Sequence, residues 1–237
     1  MKYAIIAAGE GSRLAQEGLT HPKPLIKLHG EPMVGRLIRI FHQVEAEEIV
    51  IIVNRLHPET EAFVNALIAA HPDWHITLEV CTTPSSMHSF AVLAPHLNDA
   101  PFCLTTVDTI FREEDFKAYI MSFQNALQKG YDGCMAVTDF IDDEKPLYVG
   151  TDQEMNITGF YDDFAPRLKY ISGGIYALTP KALSTLDSCI KEGKSRMRNF
   201  QRALIADGLH LKAHLFPKIL DVDHVADIAK AEKFLGA

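Results

Sequence analysis

Hydrophobic positions along this chain follow two rhythms. Short continuous apolar runs alternate with longer stretches in which apolar residues recur every three or four positions. Tyr3 to Ala8, Glu48 to Asn54, His75 to Cys81, Pro101 to Val107 and Gly133 to Thr138 are of the first kind, and short continuous runs predict strands buried on both faces. Met33 to Val44, Glu59 to Ala70, Ser86 to Ala94 and Phe116 to Lys129 carry the helical period, the last with Gly130 placed as its C-cap. Strand and helix therefore alternate, and Tyr3 to Asn54 reads as a βαβ unit. This alternation predicts an α/β fold with a doubly wound, mostly parallel central sheet and helices on both faces. Beyond Thr138 the pattern changes: Tyr148 to Thr151, Ile157 to Tyr161 and Ile171 to Leu178 are short strands separated by turn residues, which predicts a small mixed-strand lobe. Pro180 to Glu192 and Phe200 to Asp207 read as helices, His210 to Phe216 as a strand and Val225 to Phe234 as a final helix. No internal repeat, low-complexity tract or linker interrupts the series.

Composition narrows the classes of partner. The chain has 237 residues, 47% of them hydrophobic, and a net charge of -8, which suits one large domain with a proper core. An acidic balance argues against a nucleic-acid partner, whose binding depends on basic surface. Cys81, Cys103, Cys134 and Cys189 contain no C-x-x-C pair and read as reduced core residues. The eleven histidines show no metal-ligand spacing. The opening apolar run is too short for a signal peptide, and no stretch approaches the ~18 apolar residues of a membrane span. The expected location is the cytoplasm, with no membrane partner.

The densest chemistry follows the first strand, where Tyr3 to Ala8 runs into Gly9-Glu10-Gly11-Ser12-Arg13-Leu14, with Pro22-Lys23-Pro24-Leu25 soon after. Glycines after a buried strand let consecutive N–H groups converge on one anion. Arg13 adds a two-pronged cation and Lys23 a point charge. Neither common glycine-loop template fits: a dinucleotide fingerprint needs glycine where Leu14 stands, and a Walker loop needs Gly-Lys-Ser/Thr. An ordinary tight turn is the alternative to a phosphate site.

Two further places carry carboxylates. Asp108 follows the apolar run from Phe102 to Val107, at the end of a central strand where open α/β sheets bind ligands. Its structural alternative is a helix cap or turn residue, an alternative strengthened by Thr109 and Glu113-Glu114. Asp221-Val222-Asp223 precedes the final helix, and strand alternation puts both carboxylates on one face, able to share a hard cation. Either also suits a cap for that helix, with Asp223 the better placed.

The run from Ala7 through Gly9-Glu10-Gly11-Ser12-Arg13-Leu14 and Pro22-Lys23-Pro24-Leu25 to Gly30-Glu31-Pro32 resembles the signature of the sugar-phosphate nucleotidyltransferases, in order and in spacing. Asp108, and Asp221 or Asp223, match the positions of that family's metal-binding carboxylates. Departures are visible: Ala15 to His21 keeps only the Thr of a Pro-x-Thr segment, and His224-Val225-Ala226-Asp227-Ile228 stands where Thr-Pro-Glu-Asp-Leu is common.

The resemblance implies a single nucleotidyltransferase domain, with residues 1 to about 138 binding nucleotide and about 139 to 237 binding the acceptor and supplying the second metal carboxylate. It implies catalytic roles for Arg13 and Lys23. Ala7, Ala8, Gly9, Gly11, Ser12 and Arg13 would bind the nucleotide. Ser85 and Ser86 join them, in a segment, Thr83 to Phe90, where serines replace the family's glycines beside the base. UTP and CTP are the leading donors. Tyr170-Ile171-Ser172-Gly173-Gly174-Ile175-Tyr176 resembles the strand that lies along the sugar, making Gly173, Gly174 and Lys169 candidate acceptor contacts. The basic stretch Lys194 to Asn199 is either a flap over an anionic acceptor or a solvated loop.

Mg²⁺ is expected on physical grounds as well, because a triphosphate beside a phosphate monoester concentrates negative charge that one or two carboxylates and a hard cation relieve. The expected reaction is attack by an acceptor phosphate oxygen on the α-phosphorus of an NTP, with pyrophosphate leaving. The preferred acceptor is a sugar 1-phosphate, with phosphocholine as the non-sugar alternative. The absence of any β-helix or acyltransferase extension makes the expected protein a minimal member. Two other classes share the sheet: glycosyltransferases that use a finished sugar nucleotide, and non-catalytic nucleotide-sugar binding proteins. Gly11, Arg13 and Lys23 favour nucleotidyl transfer, since a finished sugar nucleotide has no γ-phosphate to hold.

Overall fold

The computed structural model describes residues 1–142 and 144–236. The first strand, β1 (Lys2–Ala7), leads through α1 (Ser12–Gln16) and the small ribbon β2 (Lys27–Leu28) and β3 (Glu31–Pro32) into α2 (Met33–Gln43). There follow β4 (Glu48–Val53), α3 (Pro58–Ala70), β5 (Ile76–Val80), α4 (Ser86–Leu93), β6 (Phe102–Thr106), β7 (Thr109–Ile110), α5 (Glu113–Gln128) and β8 (Gly133–Thr138). The second half comprises β9 (Tyr148–Thr151), β10 (Ile157–Tyr161), β11 (Tyr170–Leu178), α6 (Ala182–Lys191), α7 (Met197–Ala206), β12 (Leu211–Phe216), β13 (Leu220–Asp221) and α8 (Val225–Leu235).

One nine-stranded sheet joins most of these, in the order β10-β9-β11-β6-β1-β4-β5, with β8 pairing β11 and β12 pairing β8. The central strands β6, β1, β4 and β5 are mutually parallel, whereas β11 runs antiparallel to β6, β8 and β9. This is the doubly wound core with a mixed lobe. β1 shows why continuous apolar runs were needed: Tyr3, Ile5 and Ala7 enter the core on one face with α2, α5 and α8, while Ala4, Ile6 and Ala8 enter the other with α4, α6 and α7. α2 lays Val34, Leu37, Ile38 and Phe41 on the sheet at helical spacing. At the start of α5, its Phe116 and the preceding Phe111 are fully buried and stack at 4.9 Å, and each fully buried side chain of this size stabilises the fold by about 1.5–3 kcal/mol.

Two helices begin earlier than the apolar period predicts. α5 starts at Glu113 because Glu113, Glu114 and Asp115 occupy its first turn, where acidic side chains suit the helix dipole but leave no hydrophobic trace. α7 starts at Met197, which extends the buried row Phe200 and Leu204 by one turn.

Strand order reverses between β1 and β6, since the chain winds outward through β4 and β5 and then returns to the other side of β1. Ligands of open α/β sheets occupy the crevice at such a reversal, beyond the carboxyl ends of the strands. The segments that emerge there are Ala8–Leu14 and Val107–Asp108. The C-terminal region is brought to the same place by the β7–β13 ribbon, which sets Thr109 opposite Asp221, and by the Val222 amide, which donates to the Asp108 carbonyl at 3.1 Å. Among the described residues, no helix is long and apolar enough to cross a membrane.

Candidate active site

Gly11 begins the site. It precedes α1 with φ +64°, and a Cβ there would stand 3.3 Å from the Lys23 Cβ. Glycine thus allows both the left-handed turn and the close approach of Lys23. Pro22 and Pro24 bracket Lys23 in a tight 3₁₀ turn, Lys23–Leu25, which aims the side chain inward. Its ammonium donates to Asp108 Oδ2 and, at 2.8 Å, to Asp223 Oδ1. The other oxygen of Asp223 accepts from Arg13 Nη1 at 2.8 Å. Burial alone would raise the Asp223 carboxyl, but Lys23 and then Arg13 outweigh it and hold the group below the usual carboxylate range.

These groups line a cavity of about 490 Å³ with Ala7, Ala8, Gly9, Ser12, Ser85 and Ser86. All the predicted nucleotide-side residues are therefore brought together. Ser85 also caps α4, accepting from the His88 amide at 3.4 Å. Asp108 lines this cavity and a second one of about 390 Å³, which holds Gly174, Asp221, Ser172, Tyr176 and Gln201. A third cavity, about 510 Å³, is lined by Gly173, Asp221, Asp223 and Arg13. β11 changes register between Ser172 and Tyr176, across the glycine pair. Gly174 has φ +73° with Thr109 beside it, and Gly173 leaves no room for a Cβ next to Ile219.

Several expectations change here. Asp223 does not cap the last helix: His224 does, in a capping box with Asp227, whose Oδ2 accepts from the His224 amide at 2.8 Å. Asp108 caps no helix either, since Arg112 occupies the cap of α5; it stands in the turn between β6 and β7, as the other structural alternative had it. Strand alternation fails after Asp221 because β13 ends there. Of the pair, Asp223 meets Asp108 across Lys23, while Asp221 lines the second and third cavities. Lys169 is exposed and lines none of these three cavities. The basic stretch divides: Lys194 pairs with Glu192 at 2.7 Å, whereas Arg196 and Arg198 line the second cavity.

Some contributors left little trace in the sequence. Asn54, 1% exposed just past β4, donates to the Ala8 carbonyl at 2.9 Å and accepts from Thr82 at 2.7 Å, fixing the start of the glycine loop. A polar residue ending an apolar strand was the available signal. Glu17 bridges the His224 ring at 2.5 Å and the Val225 amide at 2.7 Å, tying the variable loop to α8. Such a contact across 207 residues has no local signature.

The oxygens of Asp108 and Asp223 converge on one small cation, here the Lys23 ammonium. Two hard carboxylates with phosphate and water beside them make a donor set that suits Mg²⁺. Among the described residues, no cluster of three or more Asp, Glu, His or Cys side chains forms a cage for a metal, so other ligands would come from substrate and solvent.

Solved structures share this architecture. A protein described as a glucose-1-phosphate thymidylyltransferase from Bacillus anthracis is 19% identical, with a TM-score of 0.81 over 99% of this chain and 94% of its own. The inositol-1-phosphate CTP transferase from T. maritima is 16% identical, with a TM-score of 0.75 over 100% and 98%. CTP:phosphocholine cytidylyltransferase from Streptococcus pneumoniae is 18% identical, with a TM-score of 0.75 over 98% of each chain. At such identities the likeness concerns the fold. The family is given by the sequence, whose residues 3–205 match the MobA-like NTP transferase domain; the chain belongs to that family of nucleotidyltransferases.

Proposed function

We propose that this chain transfers a nucleoside monophosphate from UTP or CTP to a sugar 1-phosphate in a Mg²⁺-dependent reaction that releases pyrophosphate. The observation that carries this reading is the placement of Asp108, held by Lys23 and lining both the cavity of the glycine loop and the neighbouring cleft. A group at that junction faces both reactants of a transfer.

In this reading the turn at Gly9, Gly11 and Ser12 directs its amides at the β and γ phosphates, and Arg13 adds charge. Lys23 stabilises negative charge building on the α-phosphate. An acceptor phosphate oxygen attacks the α-phosphorus in line, the bond to the bridging oxygen of pyrophosphate breaks, and a nucleotide-diphosphate conjugate forms. Asp108 and Asp223, with Asp221 at the acceptor side, would hold Mg²⁺, which supplies neutralisation of phosphate charge. Ala7, Ala8, Ser85 and Ser86 border the nucleoside, and Gly173 and Gly174 leave room for the acceptor. Arg13 and Lys23 favour a triphosphate over a finished sugar nucleotide.

The fold shared with the phosphocholine cytidylyltransferase keeps phosphocholine as the second reading. Product analysis by ³¹P NMR after incubation with Mg²⁺, each common NTP and either glucose 1-phosphate, N-acetylglucosamine 1-phosphate or phosphocholine tests both. A UDP- or CDP-sugar supports the first reading, CDP-choline replaces it with the second, and a purine product overturns the choice of donor.

A further inference from the structure

The second cavity contains a device that the transfer chemistry does not use. Gln201, on α7, is 2% exposed and lines this cavity. Its Oε1 accepts from the Ser172 hydroxyl at 2.9 Å, which fixes the amide plane. Its Nε2 has no partner among the described residues, yet it is not among the sealed, unsatisfied buried atoms. A buried carboxamide that leaves its two donors unused costs stability unless something in the cavity accepts from them. The Ser172 bond therefore holds an N–H pair toward whatever fills the space.

The rest of the lining defines that occupant. Arg196 and Arg198 enter from the start of the same helix, and Lys145 from the loop before β9. Arg198 is braced, donating to Asp162 and, at 3.0 Å, to the Lys145 carbonyl. Guanidinium groups match phosphate oxygens. Among the described residues Tyr176 is the one aromatic ring in the lining, whereas a quaternary ammonium is recognised by an aromatic cage and repelled by fixed cations. Asp221 across the cavity suits a hydroxyl, which can donate to a carboxylate and accept from an amide.

We infer that Gln201 is a specificity-determining residue whose amide, set by Ser172, reads a hydroxyl of a polyhydroxylated phosphate monoester, a sugar or cyclitol phosphate, and that the cavity discriminates against choline phosphate. This rests on the transfer reading for the identity of the site as the acceptor cleft. It goes beyond that reading by assigning the selection to a residue that takes no part in bond making.

Binding is the direct test, by titration calorimetry of the full chain with glucose 1-phosphate, N-acetylglucosamine 1-phosphate, inositol 1-phosphate and phosphocholine. Mg²⁺ and the α,β-methylene analogues of UTP and CTP are present throughout. At least one hydroxylated ester should bind about tenfold or more tightly than phosphocholine. Gln201→Leu should weaken that ester about tenfold, the effect of one lost hydrogen bond with an unsatisfied partner, while leaving the nucleotide analogue unaffected. Ser172→Ala, a milder change that frees the amide to rotate, should weaken the ester about threefold and covers the case in which the leucine variant fails to fold. Phosphocholine binding as tightly as the esters, equal affinity of both variants and wild type for the ester, or no ester binding would each overturn the inference. Pyrophosphate release is measured separately with UTP and CTP: silence alongside Gln201-dependent ester binding refutes the transfer reading, and with it the name acceptor cleft, and leaves the selection of the hydroxylated ester by Gln201 standing.

Discussion

Lys23 keeps its charge in a partly sealed position. Burial pushes the ammonium's pKa down, but the Asp108 carboxylate, and after it Asp223, raise it by more, and the net shift is upward. The group is a permanent cation at neutral pH, poised where the α-phosphate would lie in the proposed reaction. Lys23→Ala should lower kcat for pyrophosphate release on the order of 100-fold to 1,000-fold, the scale of losing one donor to a developing anion. A variant within threefold of wild type would remove Lys23 from the chemistry. The identity of this residue was legible because Pro-Lys-Pro after a glycine loop is a compact pattern. Its two carboxylate partners were visible only as separate candidates, because they stand 85 and 200 residues away in the chain and spacing cannot encode their convergence. Gln201 was not legible at all: a glutamine amid Arg198, Asn199 and Arg202 reads as part of a solvated helix face, and its burial follows from tertiary packing around α7.

At the scale of elements, the segments that follow β11 and precede β12 are secured to the sheet by Asp132, just before β8. Its Oδ1 accepts from Lys181 at 2.8 Å, its Oδ2 from the His210 amide at 3.0 Å, and its carbonyl from the Thr179 amide at 2.9 Å. One residue thereby joins the ends of β8 and β11 to the start of β12 and to the approach to α6. Burial alone would raise this carboxyl, but Lys181 and the His210 amide outweigh burial, so its folded pKa lies below the ordinary value. A depressed pKa stabilises the fold above the unfolded value, near 4, and that contribution is lost as pH falls through the folded value. Asp132→Asn should therefore lower Tm by about 2–4 °C at pH 7, equivalent to about 1 kcal/mol in a chain of this size, with the gap narrowing as pH falls below about 4. A gap that stays constant over that range would contradict the assignment. The strands around Asp132 were readable from their apolar runs. α1 and the β7–β13 ribbon were not, because elements of five and two residues are too short to establish a period, and their conformation follows from the loop, the Val222 contact and the neighbouring strands.

At the scale of the whole molecule, one sheet carries both halves of the site. The glycine loop and Asp108 leave the carboxyl ends of β1 and β6, while β11, paired directly with β6, presents Gly174 to the adjoining cleft and Gly173 to the third cavity. Both reactants can thus be positioned by a common rigid support, with α8 folded back so that Asp223 closes the junction. Rigid placement is what a phosphoryl-type transfer requires of a protein, since alignment and charge neutralisation supply most of the acceleration. The overall winding was readable from the alternation of strand and helix, whereas the antiparallel insertion of β11 between β6 and β8 depends on long-range pairing that no local pattern specifies. The most direct test of the account is pyrophosphate release by the full chain with Mg²⁺, each of UTP, CTP, ATP and GTP, and a panel of sugar 1-phosphates, run beside Asp108→Asn. Release should require one pyrimidine nucleotide and one sugar 1-phosphate and should fall at least 100-fold in the variant. Release that persists undiminished in Asp108→Asn, or no release from any pair while the nucleotide still binds, would contradict the proposed transfer.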